Sequence, residues 1–374
     1  MSALFALAFR PFYLLAALGA AAGVVGWVAM LEGRIDAVSF LPGVLWHQHE
    51  MVFGFALAVI AGFLLTAGRV WTGLPTPTGG PLAALALHWL AARVFMITGP
   101  APLAAAVDGA FPFVLAAVVA RVIFGSRNAR NYFVVALLVA LGSADLAFHL
   151  GFEELAVRVA LYLVLTLVVV MAGRVVPSFT ANALPRARVV RRPRLDRWSV
   201  AATLAAFAGD ALGLGAWVVA PAALAAAGLH VARQAGWAPL ATRREPLLWS
   251  LHAAHAWFPV ALVLLALASM DIVPRAAALH AFGAGVLGGT VIAMITRTAL
   301  GHTGRALAAG RAETLAYVLV HAGALLRLLA TLAPGIGYME LVGASGLAWS
   351  AAFLVYFAVY LPRLMRPRSD GKPG

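Results

Sequence analysis

Apolar residues in this chain come in long, nearly unbroken runs, not in the alternating or one-sided patterns of water-soluble strands and helices. Runs of membrane length occupy approximately 12–31, 49–68, 81–99, 102–124, 132–151, 155–173, 198–217, 218–235, 246–268, 276–296, 314–333 and 338–361. A helix needs about 20 such residues, rising ~1.5 Å each, to cross about 30 Å of hydrocarbon. Only helices and closed barrels satisfy their backbone polar groups there. The pattern predicts an all-α, polytopic membrane bundle of about twelve transmembrane helices. Small-residue pairs at helical spacing, Gly19/Gly23, Gly209/Gly213 and Gly285/Gly289, predict closely approaching helices.

Composition agrees. The 374 residues are 63% hydrophobic and 11% charged, against roughly 25% charged in a soluble domain. Such a chain cannot cover a water-facing surface, so its solvent is the lipid bilayer. An excess of 27 Lys+Arg over 14 Asp+Glu would suggest nucleic acid on a soluble protein, but no basic patch interleaved with aromatics exists. Most loop arginines instead fall after even-numbered runs: Arg69, Arg127 and Arg130, then Arg174, Arg186, Arg188, Arg191, Arg192, Arg194 and Arg197, and later Arg233, Arg243, Arg244, Arg305, Arg311, Arg363, Arg366 and Arg368, against Arg34 and Arg275 in the opposite loops. Positive loops stay in the cytoplasm, so both termini are expected there. The first run follows Met1–Arg10 without a small-residue cleavage site and is expected as a retained span. The chain is expected to form a single integral membrane domain, residues 1–374, with possible halves 1–185 and 198–374 joined by the basic loop 186–197.

Cysteine is absent, which removes disulfides, iron–sulfur clusters and thiolate ligation. Any metal must be held by His, Met, Tyr or carboxylate. Ionisable groups in hydrocarbon are costly and ask for a reason, and all ten histidines lie in the runs or at their edges. By the expected topology an outer group comprises His47, His49, His149 and His280. An inner group comprises His88, His230, His252, His255, His302 and His321. Residues two apart on a helix point to nearly opposite sides, so His47 and His49 share one ion only if His47 precedes the helix proper. His280 and His302 are separated by about 33 Å of straight helix, so that span would serve two sites.

Against a ligand role stands the commoner fate of a buried histidine, hydrogen bonding within the core. That alternative weighs most for His88, His149, His230 and His321, and less for His255. Glu50 is placed to orient a ligand imidazole or to meet a helix dipole. Arg10, Arg174 and Arg297 suit either clamps for haem propionates or topology anchors. Asp108, Asp145 and Asp210 are embedded acids that could pass protons or pair with Arg93, Arg121 or Arg158. Tryptophans such as Trp46, Trp71 and Trp198 fit an interfacial belt.

Several runs carry a family resemblance: Phe9-Arg10-Pro11-Phe12, Trp46-His47-Gln48-His49-Glu50-Met51, Ala61-Gly62-Phe63-Leu64-Leu65-Thr66, Trp71-Thr72-Gly73, Gly173-Arg174-Val175-Val176-Pro177-Ser178-Phe179-Thr180, Leu251-His252, His280-Ala281-Phe282-Gly283-Ala284-Gly285 and Thr296–Arg305. Together they resemble the NnrS family, bacterial membrane proteins of the nitric-oxide response described as containing haem and copper. The resemblance covers nearly the whole chain. It implies haem, of b type, and copper as cofactors, nitric oxide or another diatomic as ligand, and a multi-pass place in a bacterial inner membrane. The histidines matching its pattern are His47, His49, His252, His280 and His302. The implied function is to handle, sense or protect against nitric oxide. Alternatives are a membrane oxidoreductase, reducing nitric oxide or passing quinol electrons, and a small-molecule or ion transporter.

Overall fold

The computed structural model describes residues 3–36 and 39–372. Among them lie twelve long helices and no strand, as the apolar runs predict: α1 Phe9–Leu31, α2 Gly43–Thr72, α3 Gly79–Thr98, α4 Ala101–Gly125, α5 Ala129–His149, α6 Glu153–Ala183, α7 Pro193–Ala211, α8 Ala216–Ala235, α9 Pro246–Ser269, α10 Arg275–His302, α11 Arg311–Leu332 and α12 Tyr338–Leu364. Eleven are long and apolar enough to span a membrane. The exception is α7, which opens with Arg194, Asp196 and Arg197 and carries Asp210 near its end. The protein is a polytopic membrane helix bundle.

Local chemistry sets the helix ends. Pro193 and Pro246 open α7 and α9 at first-turn positions, where a missing N–H costs nothing. Gly73 ends α2 in the left-handed region at φ 70°, where only glycine sits without strain. Gly213, with φ 65° and nothing within 4 Å of where a Cβ would stand, belongs to the turn after α7. It is therefore a chain-reversal glycine and not the packing position that its spacing from Gly209 suggests. The other pairs do lie at close approaches. A methyl on Gly19 would stand 3.2 Å from the Trp89 ring, and one on Gly289 3.0 Å from Ala254.

Two helices depart from regular α geometry. Residues Glu50–Ala56 of α2 and Ala281–Leu287 of α10 wind as π-helix, each starting directly after a histidine, His49 and His280. Such turns free backbone carbonyls and turn side chains away from their α-helical directions. In α2 the carbonyl of Gly54, which also accepts from Leu57 N–H, takes a 3.0 Å hydrogen bond from Trp89 Nε1.

The chain forms two compact units. The first comprises Met1–Leu163 with Thr298–Ala306 and Tyr356–Gly374; the second comprises Val164–Arg297 and Leu307–Val355. In the first, α1 packs on α2, and α4 packs on both α3 and α5. In the second, α7, α8 and α9 follow one another in contact, and α9 packs on the first part of α10.

Candidate metal centre

In the first unit, α2 runs away from the end of the bundle where α3 finishes, and α4 leaves the same end where α5 finishes. The early residues of α2 and α4 therefore meet the late residues of α3 and α5, bringing His49 and Glu50, Arg93, Asp108, and Asp145 with His149 to one level. Glycines make the approach possible. A Cβ on Gly109 of α4 would sit 2.8 Å from Leu146, and one on Gly142 of α5 would sit 2.8 Å from Phe113.

His49, Asp108 and Asp145 are buried at 0%, 1% and 0% exposure. Nε2 of His49 stands 2.9 Å from Asp108 Oδ2 and 3.3 Å from Asp145 Oδ1. Nε2 of His149 stands 3.4 Å and 3.7 Å from the same two oxygens. These four side chains can each offer a ligand atom within 4.8 Å of every other. Behind them, Nδ1 of His49 faces Glu50 Oε1 at 3.3 Å, the contact expected of a carboxylate that orients an imidazole. Arg93 ties the rim together, donating to Glu50 at 2.9 Å and pairing with Asp108 through its other terminal nitrogen. Phe53 and Phe148 wall the imidazole, with ring centroids 5.0 and 4.6 Å from that of His49. His47 is not among these four residues, and its ring stacks on Trp27 at 4.2 Å.

The second unit gathers imidazoles that meet no carboxylate among the described contacts. Thr203 of α7 donates its hydroxyl proton to Ser199 O at 2.7 Å, so its oxygen accepts from Nε2 of His230 at 3.0 Å. Nδ1 of His230 then carries a lone pair, and it accepts from Nε2 of His255 at 3.3 Å. That leaves a bare lone pair on Nδ1 of His255, which is buried without a hydrogen-bond partner. His252 follows the same logic. Thr180 spends its proton on Val176 O at 2.9 Å and accepts from His252 Nε2 at 3.0 Å, leaving Nδ1 of His252 buried and partnerless. The proton positions follow from the hydrogen-bond network. Two neutral rings, three residues apart on α9, thus each present an unshared electron pair to the interior.

The family model for NnrS protein matches residues 3–368. The chain belongs to the NnrS family. A comparison with curated proteins finds no match.

The remaining histidines of this NnrS chain are held in other ways. His88 uses Nε2 on Val107 O at 2.8 Å, the ordinary bond of a core histidine. The lone pair of His321 Nδ1 is taken by Trp257 Nε1 at 3.1 Å. His280 fixes its ring by Nδ1 on Ala276 O at 2.7 Å, which turns its lone pair to Nε2. His302, at the last turn of α10, packs 5.4 Å from the Phe9 ring.

Arg10 is fully buried, and its Nη1 donates to Leu364 O and Arg366 O at 2.8 Å each, closing the end of α12. Arg297 lies 3.8 Å over the Phe179 ring. Arg174 is half-buried, its carbonyl accepting from Ser178 Oγ at 2.7 Å. Of the embedded acids, Asp108 pairs with Arg93, Asp210 pairs with Arg275, and Asp145 faces only histidines among the described contacts. Trp46 is buried at 5% exposure, so it is a core residue and not part of an interfacial belt, whereas Trp198 is 66% exposed.

Both groups fit metal by the chemistry of their donors. A hydrogen-bonded core histidine spends its lone pair on a donor, yet His252 and His255 keep theirs. Uncharged imidazole donors suit copper and haem iron. The mixed imidazole–carboxylate set around His49 suits a harder ion.

Proposed function

We propose that this NnrS protein binds haem and copper within the membrane and uses them to capture nitric oxide, protecting the cell or reporting the gas. The observation that carries this reading is the pair of bare, buried imidazole lone pairs at Nδ1 of His252 and His255. A neutral ring whose other nitrogen is already pinned by a hydroxyl or a second imidazole is set up as a ligand, since the pinned side fixes both tautomer and orientation. Family membership and the matched motif residues His252, His280 and His302 support it further.

The chain's own residues supply three things in this reading. His252 and His255 bind, with Thr180, Thr203 and His230 holding their tautomers. Phe258, stacked on His230 at 4.9 Å, and Trp237, at 4.7 Å from His255, exclude water. The surrounding hydrocarbon admits a small uncharged diatomic and keeps ions out. When bound, a haem or copper supplies an open coordination position for nitric oxide.

The test is the visible spectrum of protein purified from haem- and copper-replete cells, before and after nitric oxide. A haem band that moves on adding the gas, and weakens in His252→Ala and His255→Ala, is expected. Colourless protein without copper from such cells overturns the reading.

A further inference from the structure

We propose that His49, Asp108, Asp145 and His149 form a separate binding site for a divalent cation of the zinc–iron class, distinct from any haem or copper site. Three observations meet here, and none depends on the reading of the second unit.

The first is spacing. Ligand atoms at 2.0–2.1 Å from a tetrahedral ion lie about 3.3–3.4 Å from one another. The four measured imidazole–carboxylate edges are 2.9, 3.3, 3.4 and 3.7 Å, scattered about that value. The second is donor matching. A neutral imidazole carries one N–H and one lone pair, yet both nitrogens of His49 face carboxylate oxygens. One of them must meet oxygen lone pair to lone pair unless the ring is protonated or a cation sits between. The second oxygen of Asp145 is likewise buried without a partner. The third is charge. With both imidazoles neutral, Glu50, Asp108 and Asp145 bring three negative charges to the contact set and Arg93 one positive, which leaves a formal deficit of two. Uncompensated charge is expensive at such burial. A divalent ion closes the deficit, whereas a monovalent copper ion leaves one charge over.

Carboxylate oxygen with imidazole nitrogen is also the donor set of zinc and ferrous sites, not of soft copper centres. Glu50 is a positioning residue. It holds His49 by Nδ1 and is itself held by Arg93.

The full-length protein in detergent, stripped with a chelator and titrated with Co2+, gives the test. One equivalent per chain is expected, with the intense visible bands of tetrahedral cobalt. Asp145→Asn and His149→Gln should remove those bands, and Glu50→Gln should weaken affinity by the ~10–100-fold typical of a lost orienting partner. His255→Ala should leave the cobalt bands intact. Haem and copper contents of the Asp145 and His149 variants should equal those of the unsubstituted protein, which separates this site from the proposed function. X-ray absorption on the unsubstituted cobalt form needs no variant to fold, and should report four nitrogen or oxygen ligands. No cobalt uptake, six-coordinate cobalt, or bands that persist in both ligand variants overturns the proposal.

Discussion

Nε2 of His49 and Oδ1 of Asp145, 96 positions apart in sequence, stand 3.3 Å from each other with both side chains fully buried. The contact joins α2 to α5 through polar groups. A pair so placed must be stabilised by its surroundings, and Arg93, Glu50 and Asp108 provide them.

Arg93 is the cation of that cluster among the described contacts, and its side chain is 9% exposed. Arg93→Met should therefore cost about 3–5 kcal/mol, the penalty for stranding buried charge. Thermal or denaturant unfolding in detergent measures it. Asp108→Asn, which keeps a hydrogen-bonding group beside the guanidinium, should cost less.

Gly54 sits where a Cβ would meet Glu50 Oε2 at 2.8 Å and Arg93 Nη1 at 3.0 Å. Gly54→Ala should push the ion pair apart and destabilise by about 1–3 kcal/mol, the usual range for overpacking. Gly228→Ala is the control. No atom lies within 4 Å of the added methyl, so stability should hold or rise by up to about 1 kcal/mol from helix propensity alone. The same unfolding assay reads both.

Much of the fold is legible from the apolar runs because span length is a physical requirement of the bilayer. Each of the twelve runs corresponds to a long helix, although four charges keep α7 below the others in hydropathy. Partners across the bundle are less legible. Asp145 and His149 are four apart, a spacing that puts them on one helix face, and this is the signal that marks them as a unit. Asp108 and Arg93 stand out in the sequence only as an embedded acid and one of three arginines it could pair with, and nothing local joins them to His49. Their convergence depends on helix packing and on glycines such as Gly109 and Gly142, whose role emerges only with their neighbours. The π-turn after His49 is equally silent in the sequence, yet it sets the directions in which Glu50 and Phe53 emerge. The divergence of His47 from His49, by contrast, follows from helical geometry alone.

In the second unit the tautomer of His255 is set through His230 by Thr203. Thr203→Val removes the oxygen that accepts from His230 and so releases the ring. Copper or haem affinity should fall by about 10–100-fold while the helices stay folded. Metal analysis alongside circular dichroism checks both halves of this expectation.

The residues after α12 fold back onto the end of α10. Arg368 donates to His302 O at 3.1 Å, and Ser369 N donates to Thr303 O at 3.0 Å. Asp370 is paired with Arg368 at 2.6 Å, which holds its carboxyl well below the usual aspartate range. A depressed carboxyl stabilises above its unfolded pKa and loses that contribution as pH falls through the folded one. The docked tail should therefore resist proteolysis through neutral and mildly acidic pH, and loosen only below the ordinary aspartate range. Asp370→Asn should loosen it throughout, as limited proteolysis would read.

The central claim is that imidazoles are kept in this membrane because a metal takes their lone pairs. Haem and copper stoichiometry of purified protein, compared across His252→Ala, His255→Ala and His88→Ala, tests it most directly. Loss of haem or copper from the first two, with His88→Ala unchanged, is the predicted result. Equal metal content in all three, or none in the unsubstituted protein from replete cells, would contradict the account.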